Sequence, residues 1–145
     1  MLIDDINSYT APIRLENSSS SAEGRVEVFH KGAWGSICDQ SWDLNDGHVV
    51  CRMMGYSHAT NISCCSRYGQ GRGSILLSGL GCTGSENSVF NCKNQKRTNQ
   101  SCNHHTHDAG VRCSGICTLL LFQISMLRRR WRKGVIMGPL TPNAR

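Results

Sequence analysis

The segment from Cys102 to Cys113 concentrates side chains that can bind a metal. It reads CNHHTHDAGVRC, so two cysteines and three histidines lie within twelve residues. Thiolate and imidazole are the ligands that Zn²⁺ prefers. The spacing is nevertheless poor for zinc, because His104 and His105 are adjacent and no CxxC pair accompanies them. The segment therefore does not predict a zinc centre.

Nucleophilic catalysis also lacks a suitable arrangement of residues. Serine, histidine and aspartate all occur, but the chain contains no GxSxG nucleophile elbow. No cysteine stands in a recognised protease context. The prediction is that this chain is not an enzyme by itself.

The cysteine content indicates an oxidising compartment. Nine cysteines occur in 145 residues, far above the usage of ordinary intracellular proteins. Three glycosylation sequons, at Asn17, Asn61 and Asn99, point the same way. The start of the chain, MLIDDINSYTAP, has an acidic front and no apolar core of the length that a secretory signal needs. We therefore expect a fragment of a secreted or membrane protein, located outside the cell or at its surface.

The net charge of +6 comes from the end of the chain. Residues 1–113 contain ten Lys or Arg and ten Asp or Glu, and the other six basic groups all follow, with no acid among them. A basic surface for nucleic acid would rest on LRRRWRK, residues 127–133, alone. The prediction is that the folded part does not bind nucleic acid.

The length suits one domain, and the composition divides the chain into three parts. Residues 1–12 read as a leader or linker, residues 13–114 as the domain, and residues 115–145 as a basic tail, disordered or membrane-proximal. The apolar run of twelve residues at 116–127 is shorter than the roughly 20 residues of a spanning helix. Three interpretations of the tail stay open: a disordered or read-through segment, association with a membrane, or an extension of the core.

A β-hairpin and one helix are the elements that the local patterns predict. Residues 25–28 alternate between charged side chains and valine, the pair Lys31-Gly32 reads as a turn, and residues 34–37 resume the strand. The helix is predicted to begin at an N-cap, Asn45, and to stop at Gly55 in the C′ position. Its core-facing stripe comprises Val49, Val50, Met53 and Met54.

Seven motifs in a fixed order make residues 13–114 resemble the scavenger receptor cysteine-rich (SRCR) family. The resemblance implies an α+β fold, a small disulfide-rich domain in which a curved antiparallel β-sheet cradles one main α-helix. It also implies an extracellular module that binds ligands. The motifs are IRL from Ile13, EGRVEVFHKGAWGSIC from Glu23, WDLND from Trp42, VVCRMMGY from Val49, YGQGRG from Tyr68, GCTGSENSVFNC from Gly81 and HDAGVRC from His107.

The same resemblance implies a disulfide pattern and the six-cysteine subgroup. The eight-cysteine members have an additional bridge, whose two positions in this chain are Ala22 and Tyr56. The three remaining cysteines are then either free thiols or include a bridge from Cys64 or Cys65 to Cys117, since adjacent cysteines rarely bridge each other. The implied pairs are Cys38–Cys102, Cys51–Cys113 and Cys82–Cys92.

In many SRCR domains an acidic cluster binds calcium or magnesium. The matching positions of this chain are Asp39, Gln40 and Glu86. Calcium accepts carboxylate and amide oxygens, but Gln40 stands where the family usually has a second aspartate, which removes one charge. A second cation site would need acids near Ser78, and the sequence offers none there. The alternative interpretation of Asp39 and Glu86 is a solvated acidic surface.

Basic residues supply the second candidate surface. They could present cations to polyanions such as glycans or lipopolysaccharide, and the alternative is ordinary solvated loops. Extracellular proteins are the other class of partner that the resemblance implies. A different hypothesis makes the domain an accessory part of a secreted mosaic enzyme, a protease or an oxidase. The basic residues are Arg67, Arg72, Lys93, Lys96 and Arg97.

Overall fold

The computed structural model describes residues 12–93, 102 and 104–116, and the described residues as far as Gly115 belong to one compact unit. This described part contains six strands and one α-helix, and two short 3₁₀ helices lie in the connections. The strands are β1 (Ile13–Glu16), β2 (Glu23–His30), β3 (Ala33–Ile37), β4 (His58–Ser63), β5 (Ser74–Leu77) and β6 (Gly110–Ser114); the α-helix is α1 (Leu44–Met53), and the 3₁₀ helices span Val89–Asn91 and His105–His107.

The predicted hairpin is confirmed as β2 and β3. These strands pair antiparallel with Phe29 opposite Trp34. Lys31 and Gly32 have φ values of 51° and 83°, as a two-residue turn with both central residues left-handed requires. The alternation read from the sequence directs Val26 and Val28 into the core, where both are fully buried.

The strands form one curled sheet with the order β4-β6-β2-β3-β5, and β1 pairs with β2. The predicted α+β fold, a disulfide-rich sheet around one helix, is confirmed. One strand pair differs from the antiparallel expectation: β3 and β5 run parallel, with Ser36 opposite Ile75, so the sheet is mixed. Such a pair requires a long crossover, and this one contains both α1 and β4.

The helix begins two residues earlier than predicted, because Asp43 and not Asn45 is its N-cap. The Asp43 side chain accepts a hydrogen bond from the Asp46 N–H at 3.0 Å. The Asp46 side chain in turn accepts one from the Asp43 N–H at 2.9 Å. This reciprocal pair is a capping box built from two aspartates. It satisfies two backbone donors that an uncapped helix would leave without partners.

The predicted C-terminal stop of the helix is confirmed. Gly55 has φ 93°, and its N–H donates to Arg52 O while the N–H of Tyr56 donates to Cys51 O. These two bonds form a Schellman motif. On the core side of the helix, Val49 and Val50 are fully buried. Met53 and Met54 pack against the core and remain partly exposed.

The structure contains the three disulfides that the family resemblance implies. Cys51 on α1 is joined to Cys113 on β6, so this bridge attaches the helix to the sheet. Cys38, which directly follows β3, is joined to Cys102, and the pair lies in a small second core cluster with Ile75. The third bridge, Cys82–Cys92, closes the loop that carries Glu86. All six cysteines are buried.

Cys64 and Cys65 form a fourth disulfide between adjacent residues. Neither predicted alternative for these cysteines, free thiols or a bridge to Cys117, describes Cys64 and Cys65 correctly. The expectation was wrong because it assumed the Cα separation of ordinary disulfides. The two cysteines instead lie in a tight turn, in which Cys65 and Ser66 both have positive φ values, 64° and 54°. Cys117 lies outside the described residues, as do the leader up to residue 11 and the tail from residue 117.

None of the described helices has the length and apolar character needed to cross a membrane.

Candidate functional site

Asp39 lies at the end of β3, where three separate segments meet. Its N–H donates to His107 O at 2.7 Å, and its carboxylate Oδ2 accepts the N–H of Cys65 at 2.7 Å. The Nδ1 atom of His107 lies 3.4 Å from the same oxygen. The disulfide of Cys38, the preceding residue, fixes this strand end. Asp39 therefore holds the Cys64–Cys65 turn and the His107 segment together.

Glu86 folds back on its own loop. Its two carboxylate oxygens accept the N–H of Thr83 at 2.9 and 3.1 Å, the hydroxyl of Thr83 at 3.0 Å and the N–H of Gly84 at 3.0 Å. Hydrogen bonds from the Thr83 backbone are the main reason that the pKa of Glu86 falls to about 2. The side chain is therefore ionised at physiological pH, and its oxygens already have donors.

Two clusters in the described part of the chain contain three metal-ligand side chains each. One consists of Asp39, Cys65 and His107, and the other of Glu86 with Cys82 and Cys92. Every cysteine in these clusters is oxidised to a disulfide. Neither cluster contains both of the predicted carboxylates. The remaining oxygens fall short of the six to eight that calcium prefers, so the predicted ligands fit a hard cation only in part.

Gln40, the third predicted cation ligand, lies beside the Cys38–Cys102 disulfide. Its main-chain oxygen accepts the N–H of Gly79 at 3.2 Å, and its side-chain Oε1 lies 3.7 Å from the sulfur of Cys102. The residue is exposed. An amide oxygen at this place carries no net charge, so the electrostatic attraction for a cation comes from the carboxylates alone.

The predicted basic residues are exposed wherever the structure describes them. Arg67, Arg72 and Lys93 all present their side chains to solvent. Lys96 and Arg97 lie outside the described residues. The predicted surface can therefore be assessed structurally through the first three residues.

Arg67 and Arg112 together line a small, open surface depression. The hydroxyl of Ser63, also in its lining, is buried without a hydrogen-bond partner among the described residues. Glu23 limits the positive charge, because its Oε2 lies 3.3 Å from Arg112 and 2.8 Å from the Tyr68 hydroxyl. The Tyr68 hydrogen bond is the main reason that the pKa of Glu23 is lowered.

Arg112 was not among the basic residues that the sequence predicted for the ligand-binding surface. The signal was present, since strand β6 alternates and places Arg112 outward between the buried Val111 and Cys113. Its neighbour in the depression, Arg67, is 45 residues away in the chain. No local pattern therefore indicates that the two guanidinium groups share one surface.

A serine, a histidine and an aspartate do meet in the structure, but in a structural role. The Ser36 hydroxyl donates to Asp108 Oδ1 at 2.7 Å, and His105 Nδ1 lies 2.8 Å from Asp108 Oδ2. Both Ser36 and Asp108 are buried, and Asp108 also accepts the N–H of Gly71 at 2.7 Å. The hydroxyl is therefore bound to a carboxylate inside the core, where a substrate cannot reach it.

The glycosylation sequons differ in their surroundings. Asn61 is exposed on β4, the edge strand of the sheet. Asn17 is also exposed, but its side-chain amide donates to Tyr68 O at 2.6 Å. A glycan on Asn17 would have to break this hydrogen bond, so we expect Asn61 to be the better acceptor of the two. Asn99 lies outside the described residues.

Known proteins similar to this chain share the described domain. The family model "Scavenger receptor cysteine-rich domain" matches residues 16–114. Galectin-3-binding protein of Rattus norvegicus is 46% identical over 102 residues, which are 70% of this chain and 18% of that protein. Lysyl oxidase homolog 2 of Mus musculus is 47% identical over 102 residues, 70% of this chain and 13% of that protein. The chain thus spans less than a fifth of either relative.

Two solved structures have the same fold. The third SRCR domain of murine neurotrypsin is 38% identical with a TM-score of 0.65, over 72% of this chain and 97% of that domain. The SRCR domain of mouse MARCO, in a dimeric form, is 42% identical with a TM-score of 0.58, over 70% and 93%. The four disulfides of the described residues are typical of an oxidising compartment. Members of the scavenger receptor cysteine-rich domain family are extracellular or cell-surface proteins, and these matches show that the chain belongs to that family.

Proposed function

We propose that this SRCR domain is a ligand-binding module of scavenger-receptor type that binds anionic groups at the depression between Arg67 and Arg112. The observation that carries the proposal is that Arg67 and Arg112 line one concave surface together with Ser63, whose buried hydroxyl has no hydrogen-bond partner among the described residues. Arginine forms bidentate hydrogen bonds with sulfate, phosphate and carboxylate groups. An SRCR domain is itself a non-catalytic module, so binding is the function that its surface serves.

The chemistry of the depression favours weak, repeated binding to a polyanion over tight binding to a single small anion. Glu23 already neutralises part of the charge of Arg112, and the described domain carries nearly balanced charge. One anionic group would therefore gain little free energy. A glycan sulfate array or a lipopolysaccharide presents many such groups, and their contributions add through effective concentration. Arg72 and Lys93 extend the same kind of contact at other exposed positions.

The double variant Arg67→Ala/Arg112→Ala should weaken binding to immobilised dextran sulfate by roughly tenfold at low salt, since two charge-assisted contacts are lost. Binding of the wild type should also decrease as sodium chloride rises from 20 to 300 mM. Surface plasmon resonance measures both effects. Lys31→Ala is the matched control, because Lys31 is an exposed cation in the β2–β3 turn, outside the depression. Equal losses in the double variant and the control would contradict the proposal.

We also propose that calcium or magnesium assists this binding through Asp39, Gln40 and Glu86. Two observations support a role for the carboxylates: Glu86 is held ionised, and Asp39 retains partial exposure at a strand end fixed by a disulfide. The loop hydrogen bonds of Glu86 compete with a metal, and Gln40 supplies no charge. The expected affinity is therefore low, in the millimolar range of weak extracellular calcium modules.

Calcium at 10 mM should raise the thermal midpoint of the domain by mass action. Gln40→Asp should enlarge the rise by adding a carboxylate, and Glu86→Gln should abolish it. Differential scanning calorimetry with and without a chelator measures the shift, and Glu16→Gln is a control that removes one partly exposed acid from β1. A midpoint that calcium leaves unchanged in both wild type and Gln40→Asp would exclude the cation and leave the arginine depression unaffected.

The six-cysteine subgroup is the finer assignment that we propose within the family. Three bridges occupy the positions that the subgroup pattern implies, and Ala22 and Tyr56 stand where the eight-cysteine members have their additional bridge. The Cys64–Cys65 bridge lies outside this pattern. On this assignment the Cys64–Cys65 bridge is an additional disulfide of this chain, and it does not correspond to the additional bridge of the eight-cysteine members.

A role as an accessory domain of a mosaic enzyme is the second candidate. It is favoured by the similarity to lysyl oxidase homologs 2 and 3 of Mus musculus, at 47% and 43% identity. The full-length transcript distinguishes the two candidates, because only the second requires a catalytic domain in the same chain.

A further inference from the structure

The disulfide between Cys64 and Cys65 lies on the surface, unlike the other three. Both residues are exposed, whereas the six cysteines of the other bridges are buried. It also closes the smallest possible loop, with a sequence separation of 1 compared with 10, 62 and 64. A bridge of this kind removes almost no chain entropy from the unfolded state. The domain therefore has little need of it for stability.

Hydrogen bonds that do not involve sulfur hold the turn in place. The Cys65 N–H donates to Asp39 Oδ2 at 2.7 Å, and the Ser66 N–H donates to Asp108 O at 3.1 Å. The Ser66 hydroxyl donates to His105 O and accepts the Asp108 N–H. Asp108 is itself buried and belongs to the Ser36 network. We therefore expect the turn to keep its position when the disulfide is opened.

The exposed sulfur of Cys65 lies close to two further side chains that can bind a metal. The ligand atoms of Cys65, Asp39 and His107 are all within 4.8 Å of one another. In a four-coordinate zinc site, bond lengths of about 2.0–2.3 Å place neighbouring ligand atoms roughly 3.3–3.8 Å apart. A small inward movement of the exposed Cys65 and His107 side chains towards the partly buried Asp39 would bring the three ligands to this spacing. Cys64 would supply a fourth ligand once its sulfur is no longer bonded to that of Cys65.

We propose that Cys64, Cys65, His107 and Asp39 form a redox-gated binding site for Zn²⁺. In the oxidised protein the two sulfurs are bonded to each other and offer no thiolate. A dithiol reductant transfers two electrons and two protons to the disulfide: the S–S bond breaks, Cys64 and Cys65 become thiols, and the reductant becomes a cyclic disulfide. Zinc then binds the two sulfurs and displaces their protons to solvent, because the thiolate is the ligand form.

The proposed site differs from both surfaces considered above. It uses soft sulfur and imidazole donors, where the calcium hypothesis uses oxygen donors, and it shares only Asp39 with that hypothesis. It also differs from a zinc site in the Cys102–Cys113 segment, whose two cysteines are buried in other bridges. Reduction gates this site because, among the four disulfides of the described residues, only Cys64–Cys65 is exposed to a reductant.

The first experiment tests whether reduction is selective. The full chain, carrying Cys117→Ser so that no other thiol is present, is treated with a low concentration of dithiothreitol, alkylated and digested for mass spectrometry. Labels are expected on Cys64 and Cys65 while the other six cysteines stay bridged. Labelling of Cys38, Cys51 or Cys82 to the same extent would overturn the gating.

The second experiment measures zinc binding by isothermal titration calorimetry, after the reductant has been removed under anaerobic conditions. The reduced protein should bind one equivalent of Zn²⁺ and the oxidised protein none. His107→Ala should weaken binding by at least about 100-fold, above the range typical of a residue that only supports a ligand. His104→Ala is the matched control, since His104 is exposed but absent from the cluster. Equal affinities of the oxidised and reduced proteins, or equal effects of the two histidine variants, would overturn the site.

Discussion

Replacing both Cys51 and Cys113 by alanine should lower the free energy of unfolding by about 4 kcal/mol, the loop-closure value for a bridge of this separation. The two residues are 62 apart in sequence, and their bridge is the covalent link between the centre of α1 and β6. Without it, only packing and hydrogen bonds hold the helix on the sheet. A loss of this size is a large part of the 5–15 kcal/mol that stabilises a typical domain.

Urea denaturation followed by circular dichroism measures this loss, and the other bridges provide graded controls. Removing Cys82–Cys92, with a separation of 10, should cost about 3 kcal/mol. Replacing Cys64 and Cys65 by serine should cost less than about 1 kcal/mol, because that bridge closes almost no loop. Both members of each pair are replaced together so that neither cysteine of the pair is left as an unpaired thiol. Equal losses for all three double variants would contradict the loop-length explanation.

Asp46→Ala should destabilise the domain by about 3 kcal/mol, because the residue is a buried acceptor of backbone hydrogen bonds. Asp46 is fully buried. Its Oδ2 accepts the N–H of Asp43 at 2.9 Å, and its Oδ1 accepts the N–H of Cys82 at 3.0 Å. Removing the carboxylate leaves the buried N–H of Cys82 without this acceptor, and a buried, unsatisfied group costs about 1–3 kcal/mol. It also removes one of the two hydrogen bonds of the capping box. Asn45→Ala is the control, since Asn45 has no part in the capping box.

The contribution of Asp46 should also depend on pH, in the direction opposite to that of most carboxylates. Burial is the main reason that the pKa of Asp46 is raised above its usual range. The folded state therefore binds this proton more strongly than the unfolded state does. Stability from this group is complete below the unfolded pKa of about 3.9 and is lost as pH rises through the folded value. The difference in thermal midpoint between wild type and Asp46→Asn should accordingly shrink between pH 3 and pH 6; a difference that grows would contradict this.

Local sequence patterns predicted the elements whose determinants are local. The β2–β3 hairpin could be read from Lys31-Gly32, because a turn type depends on the residues inside it. The C-terminus of α1 could be read from Gly55 for the same reason. The N-terminus was placed two residues late, at Asn45, because Asp43 and Asp46 cap each other reciprocally. The sequence signature of a capping box ends in Glu or Gln, and an aspartate in that position does not match it.

Features that depend on contacts distant in sequence could not be read in this way. The parallel pairing of β5 with β3 follows from the path of the crossover, which no local alternation encodes. Arg112 and Arg67 share one surface because β6 lies beside β4. Glu86 was predicted to face a cation, but hydrogen bonds from Thr83 and Gly84 occupy its oxygens. These hydrogen bonds form within the loop itself, and a family motif does not show that a side chain is engaged in them.

The pairing of β2 with both β1 and β6 determines how the domain would join its neighbours in a longer chain. Ile13 lies opposite Val28, near one end of β2, and Arg112 lies opposite Glu23, at the other end. Five residues of extended strand separate these two points, roughly 17 Å at 3.3 Å per residue. In a longer chain, segments that precede β1 and segments that follow β6 would therefore be attached at opposite ends of β2.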